Sequence, residues 1–148
     1  MNTTEVVFEI TTKSLITVNL KNTLFEVDAL FKKNRIRHIP VLDDAQKLIG
    51  ILSFTDLQRI SIGGAFGGDP EMVNTAIFEM MTIEQVMKKS PHTVQKNQSI
   101  KEVAQMLTKE EFHALPVLDG EKLVGIVTTT DVIKYLLKKC EVGAESCC

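Results

Sequence analysis

The chain has 148 residues, of which 44% are hydrophobic, which is enough for one globular domain or for two half-size units that share a core. Its formal net charge is −2 and its lysines and arginines are scattered, so the sequence offers no basic surface for nucleic acid. No window approaches the roughly 20 apolar residues of a membrane span. The first ten residues lack the pattern of a signal peptide, so we expect a cytoplasmic protein without membrane contact.

The most informative feature of the sequence is an internal duplication. Residues 14–43 align without gaps on residues 90–119, and after one deletion residues 47–56 align on residues 122–131. Each copy has the pattern of a short first strand, a helix, two strands and a second helix. Because neither copy alone could bury both faces of so small a sheet, we predict that the two copies share one composite α/β (α+β) domain.

The first helix of each copy begins at a capping box, which is a hydroxyl residue followed three positions later by a carboxylate. The box is Thr23–Glu26 in copy 1 and Ser99–Glu102 in copy 2. Apolar residues recur after both boxes at the spacing of a helix with one buried face. Short first strands at residues 16–18 and 93–94 precede these helices.

The next strand of each copy, residues 38–42 or 114–118, contains a proline, Pro40 or Pro116. Proline has no main-chain N–H and cannot donate a hydrogen bond to a neighbouring strand. We therefore expect the nitrogen of each proline to face a cleft or a sheet edge.

The last strand of each copy runs directly into the second helix, over residues 48–56 and 123–131. Both stretches end in the pattern [ST]-x-x-D, which is a helix capping box and places hydroxyls and a carboxylate at the joint between strand and helix. Turn sequences at residues 43–46 and at Asp119-Gly120 connect this strand to the preceding one.

A glycine-rich stretch, residues 61–70, separates the copies. No Lys-Ser or Lys-Thr follows it and no strand precedes it, so a flexible connector is favoured over a phosphate-binding loop. Helices are predicted over residues 73–81 and from Thr82, and Lys88-Lys89 is interpreted as a solvated helix end. We assign residues 6–62 to repeat 1, 63–82 to the connector and its helix, 83–139 to repeat 2, and 140–148 to a flexible tail.

All three cysteines, Cys140, Cys147 and Cys148, lie in this tail. Their odd number and position suit a reducing compartment, because none can staple the core. A thiolate metal site is the alternative to an exposed tail, but no histidine or cysteine elsewhere shows the spacing of metal ligands. We predict no metal and no required cofactor.

The duplicated pattern resembles the cystathionine β-synthase (CBS) domain pair, often called a Bateman module. Residues 37–41 and 50–56 carry the resemblance in copy 1, and residues 113–117 and 125–131 carry it in copy 2. The resemblance extends over residues 6–137. It implies two β-α-β-β-α units related by a pseudo-twofold axis, two clefts between their sheets, and a homodimer of the kind that such modules commonly form.

In the family these clefts bind adenosine-containing ligands such as AMP, ADP, ATP or S-adenosylmethionine. The resemblance implies that Asp56 and Asp131 take the ribose hydroxyls, and that the helix N-terminus at each joint adds N–H groups that favour an anion. The hydroxyls that reach ribose and phosphate are then Ser53 and Thr55 in one cleft, and Thr128 and Thr130 in the other.

The opposite copy is implied to form most of each adenine slot. Arg37 and His113 also match positions that touch phosphate from their own copy, and Arg37 brings a fixed positive charge. The resemblance implies that the cleft of Asp56 is completed by Ser90, His92, Phe112 and His113. It implies that the cleft of Asp131 is completed by Ser14, Ile16, Ile36 and Arg37.

The leading functional hypothesis is a stand-alone regulatory module that senses an adenine nucleotide and signals to an unidentified partner protein. The same hydroxyl and carboxylate residues would cap helices without any ligand, an effect worth about 1 kcal/mol. A structural dimerisation or scaffold module with vestigial clefts is therefore the alternative. An enzyme ranks last, because the residues assemble no nucleophilic, paired-carboxylate or metal-ligand site.

Overall fold

The structure of the protein, a computed structural model, describes residues 5–60, 70–109 and 112–142. This part of the chain contains six α-helices and seven strands in the predicted mixed α+β order, while residues 61–69 of the predicted connector and Cys147 and Cys148 lie outside it. The strands are β1 Val18–Asn19, β2 His38–Leu42, β3 Leu48–Ser53, β4 Lys88–Lys89, β5 Val94–Gln95, β6 Ala114–Asp119 and β7 Lys122–Thr128. The helices are α1 Leu24–Asn34, α2 Phe54–Ile60, α3 Pro70–Met80, α4 Ile83–Val86, α5 Ile100–Lys109 and α6 Thr129–Val142.

The chain divides into two compact units, which we describe separately. The first-repeat unit spans Ile16–Pro91, and the second-repeat unit joins the chain up to Leu15 to the chain from His92 onward. Each unit therefore takes in the segment that precedes the other repeat in the sequence. The union of both units in one composite domain, with its pseudo-twofold axis, stays a prediction.

The first-repeat unit contains a four-stranded sheet in the order β1-β2-β3-β4. β1 is parallel to β2, and the β2–β3 and β3–β4 pairs are antiparallel. The interpretation of Lys88-Lys89 as a helix end was wrong: both residues form β4, because their main chain completes the open edge of β3 while their side chains stay exposed. The buried core of this unit consists of Val18, Leu24, Val27, Phe31, Ile39, Val41, Leu52, Leu57, Phe78, Ile83 and Met87.

The second-repeat unit repeats this pattern in a three-stranded sheet, β5-β6-β7. The N-terminal lead segment, residues 5–15, packs on it, with Val7 fully buried in its core. Thr12 extends the sheet, since its N–H donates to the Ile126 carbonyl at 2.9 Å and its carbonyl accepts from the Ile126 N–H at 3.1 Å. The core of this unit consists of Val7, Val94, Val103, Leu107, Leu115, Val117, Val127 and Val132.

Two glycines permit this close approach of preceding segments to the sheets. A Cβ atom on Gly50 of β3 would overlap the Met87 side chain, and a Cβ atom on Gly125 of β7 would overlap the Thr11 methyl group and approach the Thr12 carbonyl oxygen to 2.8 Å. A side chain at either position would push the neighbouring segment away from the strand.

Neither strand proline is paired with the short first strand of its sheet, which suits the prediction that each proline nitrogen faces a cleft or a sheet edge. The Phe54 N–H donates to the Arg37 carbonyl on the β3 side of β2, at 2.8 Å. Main-chain groups alternate along a strand, so the Pro40 nitrogen faces the opposite side, where β1 pairs only with Val41 and Leu42. The same alternation applies to Pro116 in β6, which β5 leaves uncovered.

The helix starts show the hydroxyl half of the capping boxes predicted at Thr23 and Ser99, while the Glu26 carboxylate accepts instead from the Asn22 side chain. The Thr23 hydroxyl accepts from the Glu26 N–H at 3.2 Å, the Ser99 hydroxyl accepts from the Glu102 N–H at 3.1 Å, and Thr82 and Gln85 form a reciprocal box. At the other end of the chain, α6 continues to Val142, so the first three residues of the predicted flexible tail, Cys140 among them, are helical. No glycine or proline interrupts the helix before residue 143.

Candidate functional site

The Asp56 joint, residues 53–56, connects β3 to α2 in the first-repeat unit. The Ser53 hydroxyl accepts a hydrogen bond from the Asp56 N–H at 3.0 Å, as a helix cap does. The Asp56 Oδ1 atom accepts from the Arg59 Nη1 atom at 3.3 Å, across one helical turn. The other carboxylate oxygen, Oδ2, is buried and has no hydrogen-bond partner among the described residues. The Asp56 carboxylate is therefore only partly engaged by its own unit.

The Asp131 joint, residues 128–131, occupies the equivalent position between β7 and α6. Here the Asp131 N–H donates to the Thr128 hydroxyl at 3.2 Å, and the Thr128 N–H donates to the Asp131 Oδ2 atom at 2.9 Å. Both halves of the predicted capping box are formed. The same sequence pattern thus gives two different arrangements. The Asp131 carboxylate caps its helix, whereas the Asp56 carboxylate has a buried oxygen without a hydrogen-bond partner among the described residues.

An unpaired buried carboxylate oxygen calls for a hydrogen-bond donor. Leaving such an acceptor unsatisfied costs about 1–3 kcal/mol, and more when the group is charged. The Asp56 side chain as a whole is 13% exposed, while its Oδ2 atom is buried. A hydroxyl group is a donor of the kind that this oxygen lacks among the described residues.

Two further buried atoms lack partners within the described chain, the Glu5 Oε2 atom and the Tyr135 hydroxyl. Both residues neighbour Lys139, whose ammonium pairs with the Glu5 Oε1 atom at 2.6 Å and lies 5.6 Å from the centre of the Tyr135 ring. They belong to the contact of the N-terminal lead segment with α6, not to either joint.

Arg37 lies beside the Asp56 joint. Its guanidinium carbon is 5.7 Å from the centre of the Phe54 ring, and its carbonyl accepts from the Phe54 N–H at 2.8 Å. The Phe54 ring is itself held edge-on against Phe31, with ring centres 5.6 Å apart. Arg37 is exposed, as is Thr55, so a guanidinium and a hydroxyl border the joint at the surface of the unit.

His113 takes the corresponding place beside the Asp131 joint. Its carbonyl accepts from the Thr129 N–H at 3.0 Å and from the Thr129 hydroxyl at 3.4 Å. The side chains of His113 and Thr130 are exposed. The structure therefore places Arg37 and His113 beside the joints of their own repeats. The phosphate contacts that the family resemblance implied for them stay predictions.

His92 and Phe112, both predicted for an adenine slot, meet in the second-repeat unit. Their ring centres are 4.7 Å apart and the ring planes are inclined by 35°. They border a concavity of about 750 Å³. Its other lining residues come mainly from α5 and the turn before it: Gln98, Glu102, Gln105, Met106, Thr108 and Lys109.

The remaining predicted residues divide between the units. Ser90 has a left-handed backbone, with φ at 48°, and its N–H donates to the Ile49 carbonyl at 3.2 Å, in the unit that holds Asp56. Ile36 packs against the core of that unit and Ile16 is half-buried there, while Ser14 is exposed in the unit that holds Asp131. The predicted partnerships of Asp56 and of Asp131 with residues of the other unit stay predictions.

Within residues 5–60, 70–109 and 112–142, no three histidine, cysteine, aspartate or glutamate side chains are grouped so that they could hold a metal ion. No helix in the same part of the chain has the length and hydropathy to cross a bilayer.

Two stretches of the sequence, residues 7–63 and 83–138, match the family model of the CBS domain. Together they make up more than half of the chain. The chain belongs to the CBS-domain family.

Relatives of this CBS-domain chain include proteins of different sizes. A CBS domain-containing protein of Dictyostelium discoideum is 29% identical over 134 residues, which are 90% of this chain and 92% of that protein. CBSX1, a chloroplastic CBS domain-containing protein of Arabidopsis thaliana, is 30% identical over 143 residues, covering 85% of this chain and 61% of CBSX1. Inosine-5'-monophosphate dehydrogenase of Mycobacterium tuberculosis is 30% identical over 121 residues, but the chain spans only 20% of that enzyme.

Solved CBS-domain structures share the fold. The CBS domain pair of protein MJ0100, in complex with 5'-methylthioadenosine and S-adenosyl-L-methionine, has a TM-score of 0.75 and 25% identity, covering 90% of this chain and 97% of that chain. CBSX2, solved in complex with AMP, has a TM-score of 0.74 and 24% identity, covering 91% and 98%. At the identity of CBSX2 the likeness shows the fold alone.

In this CBS-domain pair, Arg59 is a residue of the site that was not predicted from the sequence. The residue lies three positions after Asp56, which is a contact distance on a helix, so its ion pair with the carboxylate could have been expected. The α5 residues that line the concavity could not have been predicted from the sequence. An amphipathic pattern does not distinguish a solvated helix face from the wall of a cavity.

Proposed function

We propose that this CBS-domain pair binds an adenosine-containing ligand whose ribose hydroxyls donate to Asp56, and that it acts as a regulatory module rather than as an enzyme. The buried Asp56 Oδ2 atom, unpaired among the described residues, carries the proposal. Ribose offers two adjacent hydroxyl donors, which suit a carboxylate whose Oδ2 atom has no hydrogen-bond partner among the described residues. The complex of the MJ0100 pair with two adenosine-containing compounds supports this ligand class.

AMP, ADP, ATP and S-adenosylmethionine all contain the adenosine group that this proposal requires. In the proposed complex, His92, Phe112 and His113 of the second-repeat unit contribute to the adenine slot together with Ser90. A ligand that contacts both units then stabilises one relative arrangement of them, and a partner protein responds to that arrangement. Signalling in this form needs no resident cofactor.

Isothermal titration calorimetry tests the proposal directly. The full chain is unfolded, washed free of small molecules and refolded, and is then titrated with AMP, ADP, ATP and S-adenosylmethionine in turn. We expect heat of binding and a raised melting temperature with at least one of the four. If none of them produces either effect at millimolar concentration, the chain is not an adenosine sensor.

We also propose that the chain forms a homodimer through α6. Ile133, Leu136 and Leu137 lie on one face of this helix and are 51%, 44% and 59% exposed. The first repeat has polar residues at two of these three aligned positions, Gln58 for Ile133 and Ser61 for Leu136. A self-complementary apolar stripe favours a symmetric pairing of two copies. This stripe is also the observation that favours the scaffold function as the second candidate.

Replacing Leu137 with glutamate is expected to convert the dimer to the 16.5 kDa monomer, because two charges would be buried in the interface. Sedimentation equilibrium measures the mass, and Lys138→Glu, an exposed position one residue further along, is the matched control. An unmodified chain that sediments as a monomer, or a Leu137→Glu variant that remains dimeric, would rule out this interface.

A further inference from the structure

We propose that Ser90 and Pro91 form a two-state hinge between the two units, and that a ligand at the Asp56 joint acts through this hinge to change the orientation of one unit against the other. The ligand part of this inference rests on the proposed function, since Ser90 and His92 are residues proposed to contact the ligand. The hinge itself rests on the backbone at the place where the chain passes from one unit to the other.

The chain passes between its two units at two places, from Leu15 to Ile16 and from Pro91 to His92. These two crossings occupy aligned positions of the repeats, because Leu15 aligns with Pro91 and Ile16 aligns with His92. Hinge motions of compact units are absorbed by the backbone torsion angles of the few residues that connect them. A change in the orientation of the units therefore requires a change of torsion angles at these crossings.

Ser90 has a left-handed backbone immediately before the second crossing, with φ at 48°. Residues other than glycine seldom adopt this conformation, because the Cβ atom comes too close to the following carbonyl oxygen. The next residue is Pro91, and a proline disfavours the right-handed helical conformation of the residue before it. The alternative that remains for Ser90 is the extended conformation. This position therefore has two backbone states that differ widely in their torsion angles.

The first-repeat side of the hinge is fixed to the strand that leads to the Asp56 joint. The Ser90 N–H donates to the Ile49 carbonyl at 3.2 Å, and Lys89, one residue earlier, belongs to β4 and pairs with β3. β3 ends at Ser53, whose hydroxyl accepts from the Asp56 N–H in the joint. A ligand held at the joint therefore contacts the end of a strand to which the hinge is hydrogen-bonded.

The second-repeat side of the hinge begins directly after the proline. The His92 and Phe112 rings lie with their centres 4.7 Å apart, and Val94, two residues after His92, is buried in the core at the start of β5. Between Ser90 and His92 there is only Pro91, whose ring fixes its own φ. Rotation about the Ser90 torsion angles is therefore transmitted to the second-repeat unit.

The other crossing lacks this arrangement. Among the described residues, the non-glycine positions with positive φ are Arg35, Gln46 and Ser90, so Ser14, which aligns with Ser90, is not one of them. Arg35 ends α1 and Gln46 lies in the turn between β2 and β3, where a left-handed residue has a local cause. Ser90 has its left-handed backbone at the boundary of the units instead, next to a proline.

The experiment compares Ser90→Gly with Ser90→Ala in the full chain. Both variants lack the hydroxyl of an exposed residue, but only glycine adopts the left-handed conformation without a steric cost. Residual dipolar couplings of the ¹⁵N-labelled backbone amides, measured without ligand, give the orientation of one unit against the other. We expect this orientation to differ between the two variants. Gln46→Gly and Gln46→Ala are the matched control pair, since Gln46 has φ at 63° but lies within the first-repeat unit, and both should show the same orientation.

Calorimetry with AMP then tests whether a ligand acts through the hinge. The apparent affinity scales with the fraction of the chain in the state that binds, so Ser90→Gly and Ser90→Ala should differ in affinity by about threefold or more. AMP added to the unmodified chain should move the units toward the orientation of whichever variant binds it more tightly. The two Gln46 variants should bind AMP equally.

Failure of the hinge and failure of the proposed function give different results. If the two Ser90 variants show one orientation, or if the Gln46 pair differs as much as the Ser90 pair, Ser90 is not a hinge, whatever the chain binds. If the orientations differ but AMP, ADP, ATP and S-adenosylmethionine all fail to bind, the hinge stands and the proposed function is wrong. If AMP binds both Ser90 variants with equal affinity, the function stands and the ligand does not act through the hinge.

Discussion

Replacing Asp56 with alanine is expected to weaken the binding of the preferred nucleotide by about 100-fold while changing the free energy of unfolding by less than about 1 kcal/mol. Two ribose hydroxyls donating to a charged group contribute roughly 3 kcal/mol together, which corresponds to that loss in affinity. The folded chain itself loses little, because the Asp56 contact with the 71% exposed Arg59 is a weak surface pair and the Oδ2 atom has no partner among the described residues.

Asp131→Ala is the matched variant, and we expect it to lower the free energy of unfolding while leaving the nucleotide affinity of the Asp56 joint unchanged. It removes the acceptor of the Thr128 N–H, a hydrogen bond of 2.9 Å at the start of α6, so it should cost about 1 kcal/mol of stability. Calorimetry and chemical denaturation measure both variants. If both variants lose only stability and neither changes nucleotide affinity, the two aspartates are helix caps and the scaffold function is favoured.

Replacing Val7 with alanine is expected to lower the free energy of unfolding by about 2–3 kcal/mol, from the lost methyl groups and the cavity that they leave. For a chain of this size the melting temperature should fall by roughly 5–10 °C. Val7 belongs to the N-terminal lead segment and is 0% exposed in the core of the second-repeat unit. Its N–H donates to the Gln98 carbonyl at 2.8 Å, and the neighbouring Glu5 carbonyl accepts from the Ile100 N–H at 2.9 Å.

Glu9→Ala serves as the control, because Glu9 is exposed and lies in the same 3-10 turn as Val7, residues 7–9. Its melting temperature should stay within about 1 °C of that of the unmodified chain. Differential scanning calorimetry compares the two variants with the unmodified chain. Equal melting temperatures for Val7→Ala and Glu9→Ala would mean that the N-terminal lead segment is not part of the core.

Much of the fold could be predicted from the sequence because its signals are local. A hydroxyl residue at one position and a carboxylate or amide three residues later specify a helix start, as Thr23, Thr82 and Ser99 confirm. The turn predicted at Asp119-Gly120 lies one residue further along, at Gly120 and Glu121, because Asp119 pairs with Lys122 in the strands. Gly120 has the positive φ, 64°, that favours glycine at the first turn position. Because the sequence is duplicated, each pattern occurs twice, and a helix or strand assigned in one copy supports the same assignment in the other.

The strands with which the segments before each repeat pair could not be predicted from the sequence. Residues 5–15 and β4 pair with strands far away in the sequence, and nothing in their composition names the partner. Gly50 and Gly125 mark the two places where a preceding segment crosses a strand, but a lone glycine in a strand also fits a simple bulge. Lys88-Lys89 was misjudged for the same reason, since a two-residue strand has no periodicity to recognise.

The difference between the two joints was equally invisible in the sequence. Ser53–Asp56 and Thr128–Asp131 fit one pattern, yet only the second forms the reciprocal cap. Which rotamer the aspartate adopts depends on competing donors, and Arg59 supplies one next to Asp56. A motif can therefore locate a carboxylate at the right place without saying whether that carboxylate is available to a ligand.

The claim that an adenine nucleotide binds at the Asp56 joint is tested most directly by nuclear magnetic resonance of the ¹⁵N-labelled full chain titrated with ATP. This measurement reports on each backbone amide separately. We expect the resonances of the Ser53, Phe54, Thr55 and Asp56 amides to shift in a saturable manner, together with that of the Arg37 amide. Saturable shifts confined to residues 128–131, or spectra that do not change at millimolar ATP, would contradict this claim.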